Sequence, residues 1–358
     1  MSEALAPPDV RRADALRRFG AADADLDALL AYTASPFDLS GPERLDDEPF
    51  VAAWQGYLDA AAPRGVFPVL QQALVQLRFP VREGLRETAT YQAATRQGDL
   101  SALGTDGRLD GGLRLAEPDA LRLELHPTPA GRIPVLTAPV RSDFEALVHA
   151  LTRRNDPVPL PASMGALMVS GYTNWDRVAR YREQWADGRV DAPTWSDAFR
   201  QLVPQKDLYQ DRFILLSEGP YSGVPAARLG LEEDAWIRLS HVIRREHECA
   251  HYYCRRALGA MRTNAFDEFI ADAAGVLAAG APDPAAWMAT FLTDEETGRV
   301  GSYLPGLSPA QGDVVRRLLA AVIDAEDWRR LATLARPGGS SAALLRDLAA
   351  APLDARLT

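Results

Sequence analysis

Lysine is nearly missing from this chain. Lys206 is the only one, and arginine supplies the rest of the positive charge. Acidic residues outnumber basic ones by 49 to 39, which leaves a formal charge of −10. No concentrated basic stripe breaks that balance, so nucleic acid is not an expected partner, because phosphate binding needs one. Cysteine is also scarce. Cys249 and Cys254 are the only two, and five positions apart on one helix they point in different directions, which does not suit a disulfide. No run of about 18 uncharged apolar residues occurs, so no membrane-spanning helix is expected. The opening residues MSEALAPPDVRRADALRRF hold no apolar segment of the kind a secretory signal needs. Together these absences make a cytoplasmic location the expectation.

What remains is the composition of a globular protein. The 358 residues are 47% apolar and 25% charged, enough for a sizeable core in two domains or one large one. The N-terminal third reads as helical, with apolar residues at spacings of three and four in 25–33, 49–62 and 66–77. The Gly- and Asp-rich stretch GTDGRLDGGLRLAEPD (104–119) interrupts this pattern and marks a domain boundary.

Beyond it, LRLELHP (121–127) and RIPVLTA (132–138) alternate as a β-hairpin does. Ser142 and Glu145 have the spacing of a capping box for a helix reaching about residue 154. ALMVSG (166–171) and RFILLSE (212–218) are strand-like runs, with helices expected over 174–185 and 192–202 between them. RFILLSE, the strand nearest the long helix in sequence, is also a candidate edge strand for substrate, although an ordinary inner strand is the leading reading of its apolar run. A long helix is expected over 232–258 and a second over 265–279, with Asn264 as N-cap and Gly280 closing it. The rest is helical to about 348, with breaks at Pro305 and at PGG (337–339). The expected fold is α+β and helix-rich, divided into a helical region at 1–118, a metal-binding domain at 119–300 and a helical region at 301–358.

Only five histidines occur, and two of them, His247 and His251, stand four apart in HECAH. On a helix that spacing puts both imidazoles on one face, about 6 Å apart at Cβ. His247 also falls within the apolar stripe marked by Trp236, Leu239, Ile243, Ala250, Cys254 and Leu258. Two imidazoles turned towards a core need partners, and a metal ion supplies one. Glu248 is rotated by about 100° from His247, a position suited to taking a proton from a metal-activated water. The second helix offers Glu268 as a third ligand. Asp272, one turn later, can accept the N–H of a ligand histidine and fix its tautomer.

HECAH followed by DEFIAD resembles the gluzincin branch of the zincin metallopeptidases, over about residues 247–272. The resemblance implies a sheet over the metal helix and one Zn2+ per chain held by His247, His251 and Glu268. It further implies that Glu248 is the general base and acid and that Asp272 supports a ligand histidine. Asp267 stands where thermolysin-like members often carry asparagine. No histidine follows His251, so a downstream histidine cannot steady an oxyanion. Tyr303, the only tyrosine beyond the second helix, is the candidate for that task.

The expected activity is zinc-dependent hydrolysis of a peptide or small-molecule amide bond. Two histidines and a carboxylate also suit a non-haem Fe(II) enzyme, and a metal that merely clamps two helices is a third reading. Arg244, Arg245, Arg255 and Arg256 read as the solvated face of the metal helix. The turn-rich GPYSGVPAARLG (219–230) is a candidate border of the cleft.

Overall fold

The computed structural model describes residues 8–186, 194–335 and 341–357. The fold is α+β: a small four-stranded sheet among many helices. In chain order the first helices are α1 (Pro8–Arg18), α2 (Leu26–Thr33), α3 (Phe50–Ala61), α4 (Val66–Ala73), α5 (Ala89–Gln97), α6 (Arg141–Thr152), α7 (Trp175–Ala186) and α8 (Trp195–Leu202). There follow α9 (Glu233–Ala257), α10 (Ala265–Ala278), α11 (Pro284–Leu292), α12 (Pro309–Ala325), α13 (Trp328–Ala335) and α14 (Ser341–Ala349). The strands are β1 (Arg122–His126), β2 (Ile133–Ala138), β3 (Ala166–Thr173) and β4 (Gln210–Ser217). Among the described residues, no helix is long and apolar enough to cross a membrane.

Two compact units share the chain. Unit 1 comprises residues 1–45, 128–130 and 220–358, and unit 2 comprises 46–127 and 131–219. The boundaries expected near 118 and 300 therefore fall inside units. The Gly- and Asp-rich stretch is bound into unit 2 by its backbone. Leu113 N–H donates to the Leu77 carbonyl at 3.0 Å, and the buried Gln71 amide donates to the Leu113 carbonyl at 2.9 Å. Gly112, at φ +77°, passes so close to Leu77 that a side chain there would strike its carbonyl. The N-terminal residues belong with the C-terminal half, because Arg12 of α1 donates to the Asp354 carboxylate at 3.0 Å, where Thr33 of α2 also donates.

The sheet of unit 2 runs β1-β2-β4-β3. β1 and β2 form the expected antiparallel hairpin, β2 pairs parallel with β4, and β3 closes antiparallel on β4. Every residue of β2 is buried, as its nearly continuous apolar sequence requires. β4 is paired on both sides, so RFILLSE is an inner strand and offers no edge to an extended ligand. Helix α6 starts at Arg141 with Val140 as N-cap and no side-chain cap. Glu145 is held by Arg141 at 2.7 Å, so the capping box expected at Ser142 and Glu145 does not form. The break at PGG lies outside the described residues, as do residues 192 and 193 of the expected helix ending at 202.

Behind the sheet, Trp54 packs on Phe213 with ring centroids 5.0 Å apart, and both surround a buried polar knot. Its centre is Asp211, fully buried, whose carboxylate accepts from Arg177 at 2.6 Å, Asn174 at 2.7 Å and Trp54 at 2.9 Å. Burial pushes the Asp211 pKa up, and the Arg177 charge with these donors pulls against that. Removing the cation leaves an uncompensated buried carboxylate, so Arg177→Ala is expected to lower the unfolding free energy by about 3–5 kcal/mol. Arg82→Ala, which removes an exposed pair with Asp110, is expected to change it by less than about 1 kcal/mol. Urea midpoints of the two variants decide the comparison.

Candidate metal centre

Two helices of unit 1 build the centre, and their sequences explain how closely they meet. Helix α9 begins with Glu233 and Asp234 and ends with Arg255 and Arg256, each sign favourable to the helix dipole at its end. Ile243, His247 and His251 lie on one face of it at steps of four. Helix α10 is capped by Asn264, whose side chain accepts from the N–H groups of Phe266 and Asp267. Glu268, Asp272 and Gly275 share one face of α10.

These faces meet in opposite order along the chain. His251 stands against Glu268, His247 against Asp272, and Ile243 against Gly275. The last contact sets the separation. A Cβ on Gly275 would lie 2.7 Å from the Ile243 carbonyl oxygen, so only glycine lets the backbones approach this far.

The close approach brings donor atoms of three residues together. His247 Nε2 and His251 Nε2 are 3.1 Å apart, His251 Nε2 and Glu268 Oε1 are 3.3 Å apart, and His247 Nε2 and Glu268 Oε2 are 3.6 Å apart. Metal–ligand bonds of about 2.0–2.2 Å in a tetrahedral set give ligand–ligand edges of about 3.3–3.6 Å. Glu268 Oε2 is buried and lacks a hydrogen-bond partner, a costly condition that an ion relieves. All three residues are buried, and the group can bind a metal ion.

Behind His247 lies Asp272, fully buried. Its Oδ1 accepts from His247 Nδ1 at 2.8 Å, which leaves the Nε2 lone pair of that histidine directed to the donor cluster. The same carboxylate accepts from the Tyr221 hydroxyl at 2.5 Å and from Arg299 at 2.6 and 2.8 Å. Arg299 also donates to the Tyr221 oxygen and covers the Tyr221 ring. Burial works to raise the Asp272 pKa, but the Arg299 charge and the donors from His247 and Tyr221 outweigh it, so the acid is held far below its ordinary value. Asp272 is thus a permanent anion.

His251 behaves differently. Burial would lower its pKa, yet the hydrogen bond to Glu268 and the charges of Glu268, Glu248 and Asp267 push it up to about 9. In the metal-free protein a proton occupies the point where a cation would stand. Glu248, adjacent to His247 on α9, is buried, and its charge acts on His251. Tyr303 stands beside Glu268: burial raises its pKa, Arg299 opposes this, and the Glu268 and Asp272 carboxylates reinforce it. Asp267 turns away to a structural task, accepting from the backbone N–H groups of Arg262 and Thr263 in the turn before α10.

Each residue expected at the site is therefore gathered in unit 1. Two further participants, Tyr221 and Arg299, had only weak signals: Tyr221 lies in the turn-rich segment after β4, and Arg299 is one arginine among many. Arg244 departs from expectation. It is buried, donates to the Pro220 carbonyl at 2.7 Å and lies over the Tyr221 ring, so it anchors the Tyr221 segment to α9. Cys249 and Cys254 are buried and are not joined in a disulfide.

A family model described as a family of unknown function (DUF7005) matches residues 14–330. The chain belongs to that family. No curated protein and no solved structure matches it. The matched span contains both helices of the centre together with Tyr221, Arg299 and Tyr303.

Gly275→Ala is expected to force α9 and α10 apart, lowering stability by about 1–3 kcal/mol and metal affinity at least tenfold, measured by competition with a chromophoric chelator. The raised His251 pKa yields a pH test. Its contribution to the stability of metal-free protein is complete below the ordinary value of 6.5 and is lost as pH rises through about 9. Metal affinity should climb over the same interval as the competing proton leaves. Melting curves with and without chelator, from pH 6 to 10, should diverge accordingly.

Proposed function

We propose that the protein is a zinc-dependent hydrolase of a peptide or small-molecule amide bond. The observation that carries this reading is the convergence of His247, His251 and Glu268, whose facing atoms lie 3.1, 3.3 and 3.6 Å apart, with a buried carboxylate, Glu248, next to His247. The likeness of HECAH…DEFIAD to the gluzincins favours zinc over other ions. Structural zinc sites fill four positions with protein ligands, whereas among the described residues this cluster contains three.

Zinc bound there would supply a Lewis acid for the carbonyl and bring the pKa of a water to about 7. The remaining work falls to side chains of the chain itself. Asp272, clamped by Arg299 and Tyr221, holds the His247 ring in one tautomer. The Glu248 carboxylate takes a proton from the attacking water and hands it to the departing amine nitrogen. Tyr303, whose raised pKa keeps its phenol protonated, donates a hydrogen bond to the oxygen that gains charge. A small peptide or amide is the preferred substrate. A cytoplasmic location accompanies this reading, supported by neither cysteine being in a disulfide.

Elemental analysis of protein purified without chelator tests the proposal, with Glu268→Ala and Glu248→Gln beside the wild type. About one zinc per chain is expected in the wild type and in Glu248→Gln, and much less in Glu268→Ala. Screened on short peptides and acyl amides, Glu248→Gln should lose about 10²–10⁴-fold in turnover. Iron in place of zinc would move the site to the Fe(II) reading. Absence of any metal after zinc is supplied would sink the proposal.

A further inference from the structure

Unit 2 contains a cavity of about 310 Å3 that has no part in the metal chemistry. Arg86, Arg96 and Arg154 line it, over the two buried rings of Tyr91 and Tyr172. Three arginines thus share one hollow. Arg86 is shared with Glu87 at 2.7 Å and Asp156 at 3.2 Å. Arg96 and Arg154 form no ion pair with the described residues, and both are exposed.

The backbone around the cavity is unusual on two sides. Arg154 and Asn155 are consecutive residues at φ 55° and 61°, a conformation that glycine adopts freely and other residues resist. Asn155 has a local reason to be there: it is fully buried, donates to the carbonyls of Gln76 and Phe79, and accepts from the Tyr91 hydroxyl. Arg154 has no such bond. A connection needing only to turn would be served better by glycine, so an arginine at this φ points to a use outside the fold.

On the other side, β3 carries an extra residue at Gly171. Ser170 pairs with Arg212 and Tyr172 with Asp211, which leaves Gly171 unpaired at φ +74°. Such bulges redirect the following side chain, and here Tyr172 is turned to donate to Gln76 at the cavity wall.

We propose that this cavity binds a small anionic molecule through its carboxylate or phosphate oxygens. Arg96 and Arg154 would supply the forked N–H donors that suit such groups, and Arg86 would add positive charge. The volume is at the lower end for ligand pockets, about 300–1,000 Å3, which fits a small acid better than a polymer.

Calorimetric titration of the full-length protein with inorganic phosphate, glycerol 3-phosphate and succinate tests this. At least one probe is expected to bind with Kd below about 1 mM and to weaken as salt rises from about 0.05 to 0.3 M. Binding by the phosphates alone identifies a phosphate site, and binding by succinate a carboxylate site. Arg96→Ala and Arg154→Gly should each weaken binding at least tenfold. Arg154→Gly should leave Tm no lower, because glycine accepts that backbone. Arg329→Ala, an exposed arginine in unit 1, and Glu268→Ala, at the metal centre, should bind as the wild type does. No heat from any probe up to about 10 mM, or equal binding in the Arg96→Ala, Arg154→Gly double variant, would overturn the proposal.

Discussion

The distance between two helices decides what the centre of unit 1 can do. Helices α9 and α10 present three facing pairs, and the one with no chemical role sets the geometry for the other two. Because Gly275 allows the Ile243 carbonyl to approach, His247 reaches Asp272 and His251 reaches Glu268 within 2.8 and 3.3 Å. The centre is therefore a property of the crossing as much as of its ligands.

Charge is arranged in two layers around this crossing. The inner layer holds the imidazoles and Glu268, whose charge state changes with what occupies the site. The outer layer, Asp272 with Arg299 and Tyr221, is fixed: Asp272 and Tyr221 are buried, Arg299 is partly buried, and hydrogen bonds join all three. A buried anion alone would be severely destabilising, and one paired with arginine and two further donors is tolerable. The outer layer keeps the inner one oriented without itself titrating near neutral pH.

How much of this was legible in the sequence depended on distance along the chain. His247 and His251 could be placed together because a helix has a fixed period, and Asn264 announced the next helix by its capping chemistry. Glu268 and Asp272 followed from the same period. Tyr221 and Arg299 could not be found this way, since they reach Asp272 from outside both helices and no periodicity links them to it. The same limit explains the domain division. Glycine-rich composition suggested a linker at 104–119, but Gly112 is needed for close passage beside Leu77, which composition alone does not distinguish from flexibility. The capping box read at Ser142 failed because the helix starts at Arg141 with Val140 as N-cap, which puts Ser142 inside it, and Arg141 pairs with Glu145.

Unit 1 is assembled from distant parts of the chain, and this bears on when it can form. Tyr32 of α2 donates to the Tyr303 carbonyl at 2.6 Å and accepts from the Ala265 N–H at 3.0 Å, so an early helix moors both the second metal helix and the Tyr303 segment. Arg12 waits for Asp354, 342 residues later. Most of unit 2 is made in one stretch, and during synthesis from the N-terminus it can complete its core while α1 and α2 still lack their partners. Helices α9 and α10 emerge afterwards, and the fixed outer layer needs Arg299 as well. On the ribosome, then, the candidate metal centre is among the last features to mature, and a nascent chain gathers its three residues only late.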